Sequence, residues 1–318
     1  MYHSVGTVEV DPWDLYVTRK RFAEQMEVLA RSAVPLALPE FARLQREGRL
    51  PRRAVAVTLD DGYVNNLHEA APILEQTGVD ATVFVTTCQL ESGREFWWDE
   101  LAQLILGPDV LPDRIIVGPE AEQPTHMIVG EAKKYSGTDR AIDAQFRDTL
   151  GNKKSARMGL FLRTWAVYQA MTHTERQRDL DRLFDDLGVE RRARITHRSM
   201  TTDEVVTASD SVTVGAHTLT HPLLHRMSLA EADHEMRESK RCLELLLERE
   251  VSTFSYPFGA RDQTVVNAAI DIGFDSACAG YPETVCSSTD PFQLPRVQVG
   301  DWTGDQFERQ IDRWFRFL

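Results

Sequence analysis

Two short stretches of this sequence carry groups that together could bind a divalent cation and activate water. The first is Thr58-Leu59-Asp60-Asp61-Gly62, at the end of the apolar run Ala54-Val55-Ala56-Val57. The second is His217-Thr218-Leu219-Thr220-His221, after the strand-like Ser211-Val212-Thr213-Val214-Gly215. If a buried strand leads into Asp60 and Asp61, the two carboxylates stand at its C-terminal end and point in different directions, so one can bind metal while the other faces a water molecule. A separation of four places His217 and His221 on one face of a helical turn, where two imidazoles can grip one ion. Two imidazoles, one carboxylate and an open position make a catalytic rather than a structural site. Zinc is the expected ion, and Co2+, Ni2+ or Fe2+ would suit the same donors. The plain alternative is a solvated Asp-Gly turn and two surface histidines, each common alone. Finding both motifs directly after strand-like runs favours the metal site.

Positioning such groups needs a sheet whose strand ends converge. Strand-length apolar runs alternate here with amphipathic helical segments, the mark of an α/β fold with a mainly parallel sheet or barrel. Strands are expected at Tyr2–Val5, Ala54–Leu59, Ala81–Thr86, Val212–Ala216, Thr253–Tyr256, Ser276–Ala279 and Leu294–Val299. Helices are expected at Phe22–Arg31, Asn65–Thr77, Trp98–Ile105, Leu229–Glu248, Gln263–Ile272 and Thr303–Phe317. The helix after the Asp-Asp-Gly turn buries Leu67, Ala70, Ala71 and Leu74, starts at Asn65 and Asn66 as capping residues, exposes His68, and stops at Gly78.

From about residue 107 to 200 the barrel rhythm lapses into an insertion within one domain spanning residues 1–318. It reads as loops at Pro119–Thr125 and Gly137–Arg140, then helices at Leu160–Met171 and Thr174–Leu187, with Thr172 or Thr174 as cap and His173 a surface residue beside it. An insertion between barrel strands belongs at the rim above a site, where specificity is usually decided. Just before it, Phe96-Trp97-Trp98 either offers Trp98 to a sugar face or locks the insertion down, and Trp302 poses the same choice. His225 could add a third imidazole, but Pro222 and the availability of Asp61 argue against it.

These motifs resemble the polysaccharide deacetylase (NodB-homology) family, carbohydrate esterase family four, whose first motif is Thr-Phe-Asp-Asp-Gly and second His-Ser/Thr-x-x-His. Leu59 replaces the Phe. The resemblance implies a distorted (β/α)7 barrel, with Asp60 as general base and Asp61, His217 and His221 as metal triad. The third motif, Arg-x-Pro-Tyr/Phe, appears as Ser255-Tyr256-Pro257-Phe258-Gly259, so Ser255 stands where the family has Arg. Tyr256, Pro257 and Phe258 are then substrate-side residues. The family also has a late catalytic His, whereas no His follows His234 here. The opening Met1-Tyr2-His3 is similar to the circularly permuted branch that includes biofilm poly-N-acetylglucosamine deacetylases. Because first and last strands of a closed barrel are neighbours, His3 becomes the candidate acid, against the alternative of a terminal His without a role. Leu294-Pro295-Arg296-Val297-Gln298-Val299 resembles the Leu-x-Arg strand of that branch, and Arg296 could replace the missing motif Arg or be an ordinary surface residue.

With 318 residues, 42% hydrophobic and 27% charged, the chain has the composition of an ordinary globular protein able to bury a core. No run approaches the roughly 18 apolar residues of a membrane span; the longest, Cys242–Leu247, is interrupted by Glu244. The absence of a signal-peptide pattern makes the cytoplasm the default expectation. Cys88, Cys242, Cys278 and Cys286 lack metal or disulfide spacing and are expected to be reduced. A formal net charge of −13 disfavours nucleic acid and anionic membranes, the Arg191-Arg192-Ala193-Arg194 cluster with Arg198 reading as a solvated helix end or partner contact.

The expected activity is hydrolysis of the acetamide of an N-acetylated sugar to acetate and an amino sugar, with Asp60 as base, His3 as acid, and backbone N–H groups near Tyr256–Phe258 helping to hold the oxyanion. An O-deacetylase or small-molecule amidohydrolase would use the same groups, and a degenerate carbohydrate-binding protein is the rival of another class.

Overall fold

The computed structural model describes residues 1–118, 125–208 and 212–315. The polar stretch at 119–124, Ser211 and the end of the last helix at Phe317 lie outside the described residues. Two compact units are present: Met1–Thr7, Leu15–Ser92 and Ser199–Leu318 form one, Val8–Asp14 and Gly93–Arg198 the other.

The first unit is built on five parallel strands whose spatial order follows the chain: β1 (Val57–Leu59), β2 (Ala81–Val85), β3 (Thr213–Ala216), β4 (Thr253–Ser255) and β5 (Ser276–Cys278). Nearly every residue in them is buried, which is why they read as continuous apolar runs rather than alternating ones. Two further stretches complete the ring. Tyr2 bridges Leu59 on the outer edge of β1, and Leu294 bridges Cys278 on the outer edge of β5, both parallel. These stretches then meet each other: Met1 N donates to the Val297 carbonyl at 2.9 Å, and Val299 N–H to the Met1 carbonyl at 3.0 Å. Seven chain stretches thus make the distorted α/β barrel, closed by single bridges where the sequence suggests full strands.

Several elements differ in detail from the sequence reading. Ala54–Val55 pairs with Val34–Pro35 instead of continuing into β1, and Ser4–Val5 leaves the barrel to pair with Tyr16–Val17. The helix after the Asp-Asp-Gly turn opens as a π-turn, Asn66–Ala70, before becoming α at Ala71–Thr77. Pro72 lacks the N–H that an α-helix would direct to the His68 carbonyl, so the Ala71 N–H reaches back to Asn66. Asn65 and Asn66 do not cap this helix. Their side chains hold the N-terminal stretch: Asn65 Oδ1 accepts the Val5 N–H at 3.1 Å and Asn66 Nδ2 donates to the His3 carbonyl at 2.8 Å. His68 is exposed.

In the second unit, helices Trp97–Leu106, Ala156–Ala170 and His173–Leu187 pack together beside the antiparallel pair Arg114–Val117 and Thr125–Ile128. Thr172 caps its helix in a reciprocal box with Glu175. Gly137–Arg140, read as loop, opens the helix Gly137–Asp143, capped by Ser136.

Candidate metal and catalytic centre

The Asp-Asp and His-His motifs meet at the C-terminal ends of the first unit's strands, where ligand sites of parallel α/β folds form. Asp60 and Asp61 follow β1, His217 follows β3, and Ser255 ends β4. Asp60, Asp61, His217 and His221 are all buried.

Asp61 Oδ1 lies 3.4 Å from His217 Nε2 and 3.3 Å from His221 Nε2, and ligand atoms of the three residues fall within 4.8 Å of one another. The tautomer of His217 follows from its other nitrogen. Nδ1 is 2.7 Å from the Ser255 carbonyl oxygen, which only accepts, so Nδ1 carries the hydrogen. With Nδ1 committed to that carbonyl, His217 turns Nε2 to the Asp61 carboxylate. One carboxylate and two imidazole nitrogens converging in a buried site are the donors of a divalent ion, and a histidine fixed through its second nitrogen is a common arrangement of metal ligands. The donor set fits a divalent ion. His225, by contrast, is exposed and outside this cluster.

His217 and His221 do not lie on a helical turn. Residues 217–221 form a loop with Thr218 at φ 66° and His221 at φ 57°, closed by the His221 N–H donating to Thr218 Oγ1 at 3.0 Å. Asp61 (φ 75°) and Phe258 (φ 57°) are also in the left-handed region. Four side-chain-bearing residues in this conformation around one site mark it as a place where backbone strain is tolerated for geometry. Gly62, at φ 79°, is the ordinary solution to the same turn.

Asp60 is held by Arg296. The guanidinium NH1 and NH2 donate to Oδ1 at 2.6 Å and Oδ2 at 2.7 Å, a two-pronged pairing of two buried groups. The same guanidinium donates to Thr58 Oγ1 (3.1 Å), Ser255 Oγ (2.8 Å) and the Ala279 carbonyl (3.1 Å). Ser255, where the family motif has Arg, is what leaves space for a guanidinium arriving from the other side of β5. Burial pushes the Asp60 carboxyl up, but Arg296, with His217 and His3, overcomes it and brings the value down to about 2. Asp61 is likewise held below the carboxylate range, its burial outweighed by hydrogen bonds from His217 and His221.

Tyr2 pairs with Leu59, so His3 is in register with Asp60. Tyr2 turns its ring outward onto Phe22 and its hydroxyl to Gln25; strand alternation then turns His3 to the barrel interior. The His3 Nδ1 is buried and finds no hydrogen-bond partner among the described residues. Burial lowers its pKa below the usual histidine value, with Asp61 and Asp60 opposing.

The remaining site candidates divide. Phe258 is exposed and sets its ring edge-on to His221 at 4.6 Å, on a loop that Gly259 lets pass against the Gly280 backbone, where a Cβ would approach the Gly280 nitrogen to 2.3 Å. Tyr256 is a core residue: its ring packs on Phe254 and its hydroxyl donates to the Phe292 carbonyl at 3.0 Å. Its N–H bonds the Cys278 carbonyl and Pro257 has none, so neither supplies an oxyanion donor. Trp98 is buried within the second unit, stacked on Phe96 and edge-on to Trp97, with no free face for a sugar. Trp302 packs against Trp314 of the last helix. For Trp98 packing wins over recognition because large aromatic surface is most stable when covered, whereas Trp302 stays partly exposed.

The polysaccharide deacetylase family model matches residues 47–107 and 193–277, the two stretches that carry Asp60, Asp61, His217, His221 and Ser255. YxkH of Bacillus subtilis (strain 168), a protein named for the polysaccharide deacetylases, is 31% identical over 87 residues, which span 27% of this chain and 30% of that one. Among solved structures, the Streptococcus pyogenes deacetylase PplD superposes with a TM-score of 0.59 at 14% identity, covering 98% of this chain and 96% of its own. IcaB from Ammonifex degensii gives 0.55 at 16% identity, covering 99% and 94%. A de-N-acetylase from Aggregatibacter actinomycetemcomitans gives 0.56 at 12%, covering 98% and 97%. These likenesses show the NodB-type fold over nearly the whole chain. With the family model lying on both motif-bearing stretches, the chain carries a polysaccharide deacetylase domain.

Proposed function

We propose that this chain is a metal-dependent N-deacetylase that hydrolyses the acetamide of an N-acetylated sugar. The observation that carries the reading is the pairing of two adjacent carboxylates with different partners: Asp61 faces two imidazole nitrogens, Asp60 a guanidinium. Asp61, His217 and His221 would hold one divalent ion, zinc in this reading. When bound, it supplies Lewis-acid polarisation of the acetyl carbonyl and acidifies a water molecule. Asp60 accepts that water's proton as it attacks. Arg296 keeps Asp60 ionised, aimed and unable to rotate away. His3 delivers a proton to the departing nitrogen, a step that an amide needs far more than an ester does. Phe258 offers an exposed apolar face beside His221 for the acetyl methyl or the sugar ring. The chain functions in this reading as one deacetylase domain carrying the second unit as an insertion.

The test is acetate release with metal counted in the same preparation. One equivalent of zinc and acetate from N-acetylated chitooligosaccharides, absent after chelation and restored by zinc, is the expected result. Release only from O-acetylated xylooligosaccharides would assign an O-deacetylase instead, and glycan binding without release from either would assign a binding protein.

A further inference from the structure

The loop that aims His217 and His221 is clamped by a buried acid outside the centre described above. Between the two left-handed residues Thr218 and His221 lie Leu219 and Thr220, whose N–H groups both point to Glu235 Oε2, at 2.9 and 2.8 Å. The Thr220 hydroxyl donates to Oε1 at 2.6 Å. Glu235 is 7% exposed and projects from the helix Leu229–Leu247, which packs against β3. On the carbonyl side, Thr87 N–H reaches Thr218 O at 3.2 Å and Cys88 N–H reaches Leu219 O at 2.9 Å. The clamp is thus two-sided, with its charged jaw supplied by one residue.

The chemistry gives that jaw a specific task. A loop with two side-chain-bearing residues in left-handed conformation relaxes unless something over-determines it. Hydrogen bonds to a charged acceptor are about twice as strong as neutral ones, and a buried carboxylate holds its donors hard because it has no water to turn to. Relaxation of residues 218–221 would swing His221 Nε2 away from Asp61 Oδ1.

Resting on the metal-site reading above, we propose that Glu235 is a positioning residue for the metal triad. Its carboxylate keeps the His217–His221 loop in the conformation that places both imidazoles on Asp61, and so sets the affinity of the site for its ion.

The experiment is zinc affinity by competition with a fluorescent chelator, with the visible spectrum of the Co2+-loaded protein, for wild type, Glu235→Ala and Glu235→Gln. Thermal unfolding of each in EDTA records stability separately. Loss of outer-shell partners typically weakens metal binding about 10–100-fold. Glu235→Ala should fall in that range and alter the Co2+ spectrum. Glu235→Gln keeps an acceptor oxygen for the two N–H groups and should recover most of the affinity. Glu235→Ala binding zinc within about twofold of wild type with an unchanged spectrum, whatever its melting temperature, would overturn the proposal and leave Glu235 a structural residue. If Glu235→Ala does not fold, Thr220→Val removes one of the three bonds and should weaken zinc several-fold; unchanged affinity there overturns the proposal equally. A wild type that binds no zinc would instead overturn the metal-site reading itself.

Discussion

Replacing Arg296 by Met should reverse the way stability responds to pH, and the size of the effect follows from the Asp60 environment. In the native protein the Asp60 carboxyl is brought from 3.8 down to about 2. At about 1.4 kcal/mol per pH unit this is about 2 kcal/mol of stabilisation at neutral pH. A depressed carboxylate contributes stability that is fully present above 3.8 and lost as pH falls through 2, so between pH 7.5 and 5 the native protein should feel no change from Asp60. In Arg296→Met the burial that pushes the carboxyl up is no longer opposed by the guanidinium. The folded-state value then rises above the unfolded one, so Asp60 destabilises at pH 7.5 and ceases to as it takes up a proton. Breaking a buried pair by removing one partner costs about 3–5 kcal/mol, most of it here the stranded Asp60 charge. Urea unfolding of metal-free wild type and variant at pH 7.5 and 5 should therefore show a large deficit that narrows by about half at the lower pH. The double variant Arg296→Met/Asp60→Asn should recover most of the loss at pH 7.5, since neither partner is then charged. A deficit independent of pH, or losses that simply add in the double variant, would refute the claim that Arg296 acts by holding the Asp60 charge.

Three shorter tests bear on the roles of individual groups. Asp60→Asn should keep fold and zinc yet lower turnover at least about a hundredfold, the usual worth of a general base; near-normal turnover with zinc bound would take Asp60 out of the mechanism. His217→Ala should reduce bound zinc below a tenth of an equivalent after dialysis, because it removes a ligand whose orientation the Ser255 carbonyl fixes; retention of a full equivalent would mean the ion sits elsewhere. His3→Ala should impair an acetamide substrate more than an activated acetate ester, since a good leaving group needs no proton, and equal losses on both would reduce His3 to a packing role. Because burial holds the His3 pKa below the usual histidine value, the fall of amide kcat with rising pH should set in below about 6.5 if His3 alone supplies the proton, and should disappear in His3→Ala.

What the sequence determines by itself is whatever a few consecutive residues can encode. Asp60 and Asp61 at the end of an apolar run, and His217 and His221 four apart after another, are local patterns, and buried parallel strands announce themselves as unbroken apolar runs. The alternation of such runs with helical segments carries the α/β barrel in the same way. Resemblance to a family, not local chemistry, singled out Arg296 and His3, because nothing in Leu294–Val299 or Met1–Val5 marks either residue apart from its kind. Tertiary structure decides the rest, for one physical reason: barrel closure joins stretches 236 residues apart, as in Arg296 on Asp60, and hydrogen bonds across that separation leave no periodic trace. The same holds for Glu235, an unremarked acid on an amphipathic helix until the fold brings the His217–His221 loop against it. Backbone strain is equally silent, since Thr218, His221 and Phe258 give no sign in the sequence of their positive φ. Aromatic residues show the opposite error: Trp98 and Tyr256 look available for a substrate in one dimension, and packing in three takes them into the interior.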